Sequence, residues 1–149
     1  MEYTVNEIAA VEILTLIDNY IDITAMDDTP VISRAGLTKK GNIRNSVLAE
    51  HGYSALIRTS TGDTIMTMLF DFGFSKGGVA FNARALGVDM RKVGVLALSH
   101  GHSDHTGGLG RLARMVGKCK GEGARYPVRV CTFRHHKYGK LCQEANKHR

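Results

Sequence analysis

A layered α/β fold is predicted by three observations. Apolar, partly β-branched runs of strand length recur along the chain, at Val11 to Ile17, Ser54 to Thr59, Thr64 to Phe70, Val93 to Leu98 and Val128 to Cys131. Two segments with apolar residues at helical spacing, Val79 to Leu86 and Leu109 to Val116, alternate with the later runs. Polar residues able to do chemistry gather where the strands end.

Taken in order, Val11 to Ile17 reads as a first strand running into the polar turn Asp18-Asn19. Residues 22 to 48 show little periodicity, and Asp27-Asp28-Thr29-Pro30 is a loop signal, so an insertion with weak local structure is expected there. Glu50-His51-Gly52 leads into the strand Ser54 to Thr59, and Ser60-Thr61-Gly62-Asp63 reads as a hairpin turn to the partner strand Thr64 to Phe70. After Asp71-Phe72-Gly73, a short helix is expected from the spacing of Val79, Phe81, Ala83, Ala85 and Leu86, stopped by Gly87. Val93 to Leu98 is almost continuously apolar, as a strand buried on both faces would be. Leu109, Leu112, Ala113 and Val116 share one face of the next helix, and Val128 to Cys131 is a last short strand.

With 149 residues, residues 1–149 fit one domain with a single core, and 43% hydrophobic and 23% charged residues with two prolines suit a folded chain. The start of the sequence lacks the basic, apolar pattern of a signal peptide, and no apolar run reaches the ~18 residues of a membrane span, so a cytoplasmic location is expected. Cys119, Cys131 and Cys142 are odd in number and widely spaced, which argues against a disulfide framework and for free thiols. The net charge of +6 is uneven, since residues 111–149 hold 11 Lys/Arg against 2 Asp/Glu and the rest of the chain 9 against 12. This basic C-terminal part reads either as a solvated face or as an attractor of phosphate-bearing ligands.

The densest chemistry lies in His100-Gly101-His102-Ser103-Asp104-His105, between the buried strand and the helix. Imidazole and carboxylate are the ligands that borderline divalent metals accept, at ~2.0–2.2 Å. On a tight loop His100 and His102 can reach one ion, while Asp104 and His105 can reach a second a few Å away. Two such ions could share a hydroxide at near-neutral pH, which would make Asp104 part of a catalytic centre. Zinc is the expected metal, as one or two ions, with manganese, iron or magnesium as alternatives.

The run from Leu98 to Leu109, Leu-Ser-His-Gly-His-Ser-Asp-His-Thr-Gly-Gly-Leu, resembles the signature loop of the metallo-β-lactamase superfamily. Together with Asp18-Asn19, Glu50-His51-Gly52-Tyr53-Ser54, Leu69-Phe70-Asp71-Phe72-Gly73 and Asn82-Ala83, it is similar to the branch that includes the archaeal dihydropterin-ribofuranosylaminobenzene-phosphate synthases. The resemblance covers residues 11 to about 116. It implies the N-terminal half of an αββα sandwich, a mixed sheet with helices on one face. It further implies that His100 and His102 bind a first metal, and Asp104 and His105 a second. Asp71 would orient a ligand or hold the loop, unless it is only a strand-end turn residue. Asp18, Asn19, Glu50 and His51 would line a substrate pocket, and Ser99 would bond the loop backbone.

Members of the superfamily are longer, and this sequence resembles a truncated first half. Near the place of the family's next histidine ligand stand Cys131 and, a few residues beyond, His135-His136, none at the family's spacing. A half sandwich leaves a sheet face uncovered, for which a homo-oligomer or a complementing chain is the expected remedy. Two functions follow. One is a metal-dependent hydrolase or transferase acting on a small, anionic, phosphorylated or pterin-like substrate; the other is a non-catalytic metal-binding half-domain that needs a partner chain. Nucleic acid is not an expected partner, because no aromatic platform or RNA-binding module accompanies the basic tail.

Overall fold

A computed structural model of the chain describes residues 7–22, 24–25, 27–34, 38–39, 42–43, 47–120 and 129–132. Its main sheet has five strands in the order β1 (Ala10–Ile17), β4 (Ser54–Thr61), β5 (Thr64–Phe70), β6 (Val95–Leu98) and β7 (Arg129–Thr132). The first three pair antiparallel and the last two join them in parallel, so the sheet is mixed. Two-residue strands β2 (Thr38–Lys39) and β3 (Asn42–Ile43) pair apart from it and are the only strands described in the insertion. The helices are α1 (Gly78–Ala85), the single turn α2 (Ser103–Thr106) and α3 (Leu109–Lys120). Among the described residues, no helix is long and apolar enough to cross a membrane.

The alternation of side chains across the strands decides which face is buried. Leu56, Leu69 and Leu96 stand in register across β4, β5 and β6, and this row receives Val79, Ala80 and Ala83 from α1 and Leu112 and Val116 from α3. Both helices therefore cover the same face. Each large aliphatic side chain buried there stabilises the fold by about 1.5–3 kcal/mol, and Leu69, Leu96, Leu112 and Val116 are completely buried. The other face carries Val11, Ile13, Ile57, Met66, Met68 and Val95, and Val11, Ile13 and Met66 are more than half exposed. An apolar sheet face thus lies uncovered by the described residues. One mixed sheet with helices on one face is the arrangement expected of the N-terminal half of an αββα sandwich.

Asn82 ties α1 to the sheet. Its amide nitrogen donates to the carbonyls of Leu16 and Leu48, at 2.6 and 2.8 Å, and its carbonyl oxygen accepts from the Leu48 amide at 2.8 Å. The turn after α1 differs from the continuous strand expected at Val93: residues Met90–Lys92 form a 3-10 turn, and β6 begins only at Val95. Asp89 caps this turn, because its carboxylate accepts from the Arg91 amide at 3.1 Å and is held by the Arg91 guanidinium at 2.8 Å.

The Arg91 side-chain bond, then the backbone cap, depress the Asp89 pKa from 3.8 to about 2. A lowered folded-state pKa means that the cap contributes above pH 3.8 and is lost as pH falls toward 2. We expect a carboxyl NMR titration of Asp89 to give a midpoint near 2, moving up toward 3.8 in Arg91→Ala. An unmoved midpoint in that variant would refute the assignment.

Candidate metal centre

The centre is built where parallel β5 and β6 end side by side. Asp71 directly follows β5, fully buried and with a positive φ of 54°. Only a few per cent of non-glycine residues adopt that conformation, and Asp is among the types that tolerate it. Its amide donates to the Ala97 carbonyl at 2.9 Å, and its own carbonyl accepts from the Ser54 hydroxyl at 2.8 Å. This conformation aims the carboxylate across the sheet end. There Oδ1 accepts from the Ser99 amide, while Oδ2 accepts from the Ser99 hydroxyl and from His105 Nδ1, all three at 2.7 Å.

Counting hydrogens assigns the imidazole tautomers. A carboxylate can only accept, so His105 Nδ1 carries the hydrogen and Nε2 is left with its lone pair when the ring is neutral. The Ser99 hydroxyl has one hydrogen, which goes to Asp71. Towards His100 Nδ1, 2.9 Å away, Ser99 Oγ must therefore accept, and His100 Nε2 is likewise left as a base. Ser99 thus bridges two side chains. The expected bond from its hydroxyl to the loop backbone is replaced by this bridge.

His100 stands with its ring centre 4.5 Å from that of His102 and 4.3 Å from that of His105. The loop bearing them is partly helical, since Ser103–Thr106 make one turn with Asp104 in it, and Thr106 Oγ1 donates back to the His102 carbonyl at 3.0 Å. Asp104 Oδ2 lies 3.4 Å from His105 Nε2 and 3.5 Å from His51 Nε2. Among the described residues, no three His, Cys, Asp or Glu side chains already converge on one point. The donor set fits a divalent ion in its chemistry and tautomers, because two imidazoles are anchored through Nδ1 and offer Nε2. Closing round an ion calls for rotation of the more exposed side chains.

The four residues expected to line a pocket divide in two. Asp18 and Asn19 hold the turn before β4: the Asp18 carboxylate accepts from the Asn19 amide at 2.7 Å, and Asn19 Oδ1 accepts from the Gly52 amide at 2.8 Å. Glu50 is spent on backbone too, accepting from the amides of Phe74 and Ser75 at 3.1 Å. Only His51 among the four makes a side-chain contact with the metal loop, at Asp104. Cys131 has a described backbone alone, paired with Ala97 at the β6–β7 ladder. His135, His136, Cys142 and most of the basic part lie outside the described residues.

Glycines seat the loop against its surroundings. Gly52, at φ 117°, presses on the Asp104 carbonyl so closely that an added Cβ would lie 2.1 Å from it. The amides of Gly107 and Gly108 donate to the carbonyls of Gly73 and Phe72, and the Phe72 amide donates to the His105 carbonyl, which laces the metal loop to the segment after β5.

Several known proteins are similar to this chain. One curated relative, 7,8-dihydropterin-6-methyl-4-(beta-D-ribofuranosyl)-aminobenzene-5'-phosphate synthase of Methanocaldococcus jannaschii, is 31% identical over 70 residues, 47% of this chain and 24% of the relative. The match spans about a quarter of that relative's length. Among solved structures, the Rm3 metallo-beta-lactamase is 31% identical over 46% of this chain and 24% of its own, with a TM-score of 0.35. A metallo-beta-lactamase of Cronobacter sakazakii is 25% identical over 58% and 39%, with a TM-score of 0.38. The family model described as the metallo-beta-lactamase superfamily matches residues 47–131, from the turn that carries His51 through the metal loop to β7. Since that is more than half of the chain, the protein belongs to the metallo-β-lactamase superfamily.

Proposed function

We propose that this chain provides the metal-binding unit of a metal-dependent hydrolase or transferase acting on a small phosphorylated or pterin-like substrate. The observation that carries this reading is the pair of anchored imidazoles, His100 on Ser99 and His105 on Asp71, each offering Nε2 beside His102 and Asp104. The pterin-like substrate class is suggested by the name of the Methanocaldococcus jannaschii relative. A divalent ion, zinc by the imidazole and carboxylate donors, would supply Lewis acidity and a lowered pKa for bound water. His100 and His102 would hold one ion and Asp104 and His105 another. Asp71 and Ser99 would keep both anchored rings in the binding tautomer. Asp104, at the boundary between the two pairs, would serve the reaction directly.

A second reading draws support from the lack of three converged ligands among the described residues. In it, the unit binds metal only weakly until a partner chain adds donors. Elemental analysis of protein purified without added metal separates the two. About one to two equivalents retained through dialysis, and lost in His102→Ala and Asp104→Ala, support the first reading. Retention only with a partner present supports the second, and no uptake of zinc or manganese under either condition would refute both.

A further inference from the structure

We infer that His51 is a ligand of the same ion as Asp104 and His105, added to the centre from the turn before β4; this rests on the metal-binding reading above. Two ligands of a tetrahedral ion with bonds of ~2.0–2.1 Å stand ~3.4 Å apart. Asp104 Oδ2 lies 3.4 Å from His105 Nε2 and 3.5 Å from His51 Nε2, so each histidine stands at a ligand-to-ligand distance from the carboxylate, and side-chain rotation has to bring all three onto one point.

The backbone holds His51 in place for this role. On one side, the Glu50 amide donates to the Asp18 carbonyl at 3.2 Å and the Glu50 carboxylate binds the amides of Phe74 and Ser75. On the other, the Gly52 amide donates to Asn19 Oδ1, and Gly52 packs directly on the Asp104 backbone. His51 therefore stands between two anchored residues at a fixed distance from the metal loop. Its side chain is 72% exposed, so packing leaves the His51 torsions free to turn toward an ion. Asp18, Asn19 and Glu50 gain a function in this arrangement: they hold the turn that presents His51.

The test uses cobalt(II) as probe on the whole chain, comparing the unaltered protein with His51→Ala and with Phe74→Ala, which removes the ring next to His51 but no donor. Binding is followed by visible absorbance and equilibrium dialysis, and by the paramagnetically shifted imidazole N–H resonances in water. We expect His51→Ala to lose one such resonance and to bind its weaker ion at least about 10-fold less tightly, while Phe74→Ala keeps all resonances. Unchanged affinity and an unchanged set of resonances in His51→Ala would overturn the assignment of His51 and leave the metal-binding reading standing. Absence of cobalt uptake by the unaltered protein would overturn both.

Discussion

Replacing Asp71 by alanine is expected to lower stability by about 3–5 kcal/mol, a large part of the 5–15 kcal/mol by which domains are ordinarily stable. The carboxylate accepts from three donors, the Ser99 amide, the Ser99 hydroxyl and His105 Nδ1, inside a fully buried position. Alanine would strand all three, and each buried donor left without an acceptor costs about 1–3 kcal/mol. Alanine also tolerates the positive φ less well than aspartate, whose short polar side chain suits that region. Asp71→Asn is the informative companion, because it keeps the shape and the tolerance of positive φ. It replaces one accepting oxygen by a donor, however, so it must oppose either Ser99 or His105. A smaller loss of about 1–3 kcal/mol is expected, together with a 10- to 100-fold fall in metal affinity as the anchored tautomer of His105 is released. Urea denaturation at unchanged slope, with metal titration of the asparagine variant, checks both. A loss below about 1 kcal/mol in the alanine variant would show that this hydrogen-bonded hub contributes little to stability.

The strands could be read from the sequence because burial writes itself into runs of apolar residues: Val11 to Ile17 and Thr64 to Phe70 became β1 and β5 with at most a one-residue change of boundary. The His100 to His105 cluster was equally legible, since its donors are neighbours in the chain and need no knowledge of the fold to be seen together. Asp71 carried a weaker signal, an acid at a strand end, which fits a turn as well as a ligand support; only the parallel pairing of β5 with β6 brings it under Ser99 and His105. The resemblance singled out Asp18, Asn19 and Glu50, but their backbone-holding roles were not legible, for a physical reason. Their side chains go to backbone hydrogen bonds, and the partners Gly52, Phe74 and Ser75 of Asn19 and Glu50 lie 24 to 33 residues away, with no periodicity to announce them. The 3-10 turn after Asp89 escaped as well, because Val93 continues the apolar run into β6 while its backbone has not yet joined the strand.

Gly107→Ala is expected to cost about 3–4 kcal/mol, although it adds a single methyl group. The φ of Gly107 is an ordinary −55°, so backbone preference is not the obstacle. The obstacle is space: a Cβ at this position would lie 1.7 Å from the Phe74 carbonyl oxygen and 2.3 Å from its carbon. Both are backbone atoms, and no rotamer can relieve the overlap. Either the Phe74 segment or the start of α3 has to move, and either movement pulls on the bonds from Gly107 to Gly73, from Gly108 to Phe72 and from Phe72 to His105. Overpacking of this kind typically costs 1–3 kcal/mol where side chains can give way, and about 1 kcal/mol more is assigned to each hydrogen bond lost when they cannot. Gly110→Ala supplies the control. That glycine is exposed near the start of α3, with only the end of the Arg114 side chain near its added Cβ, at 3.9 Å. There the methyl reduces the freedom of the unfolded chain and should stabilise by about 0.5 kcal/mol. Opposite signs at two glycines three residues apart, measured by thermal or urea unfolding, would locate the constraint in the contact between the metal loop and the segment after β5. Equal small effects would mean that this contact yields without cost, and the anchoring of His105 through Phe72 would have to be abandoned.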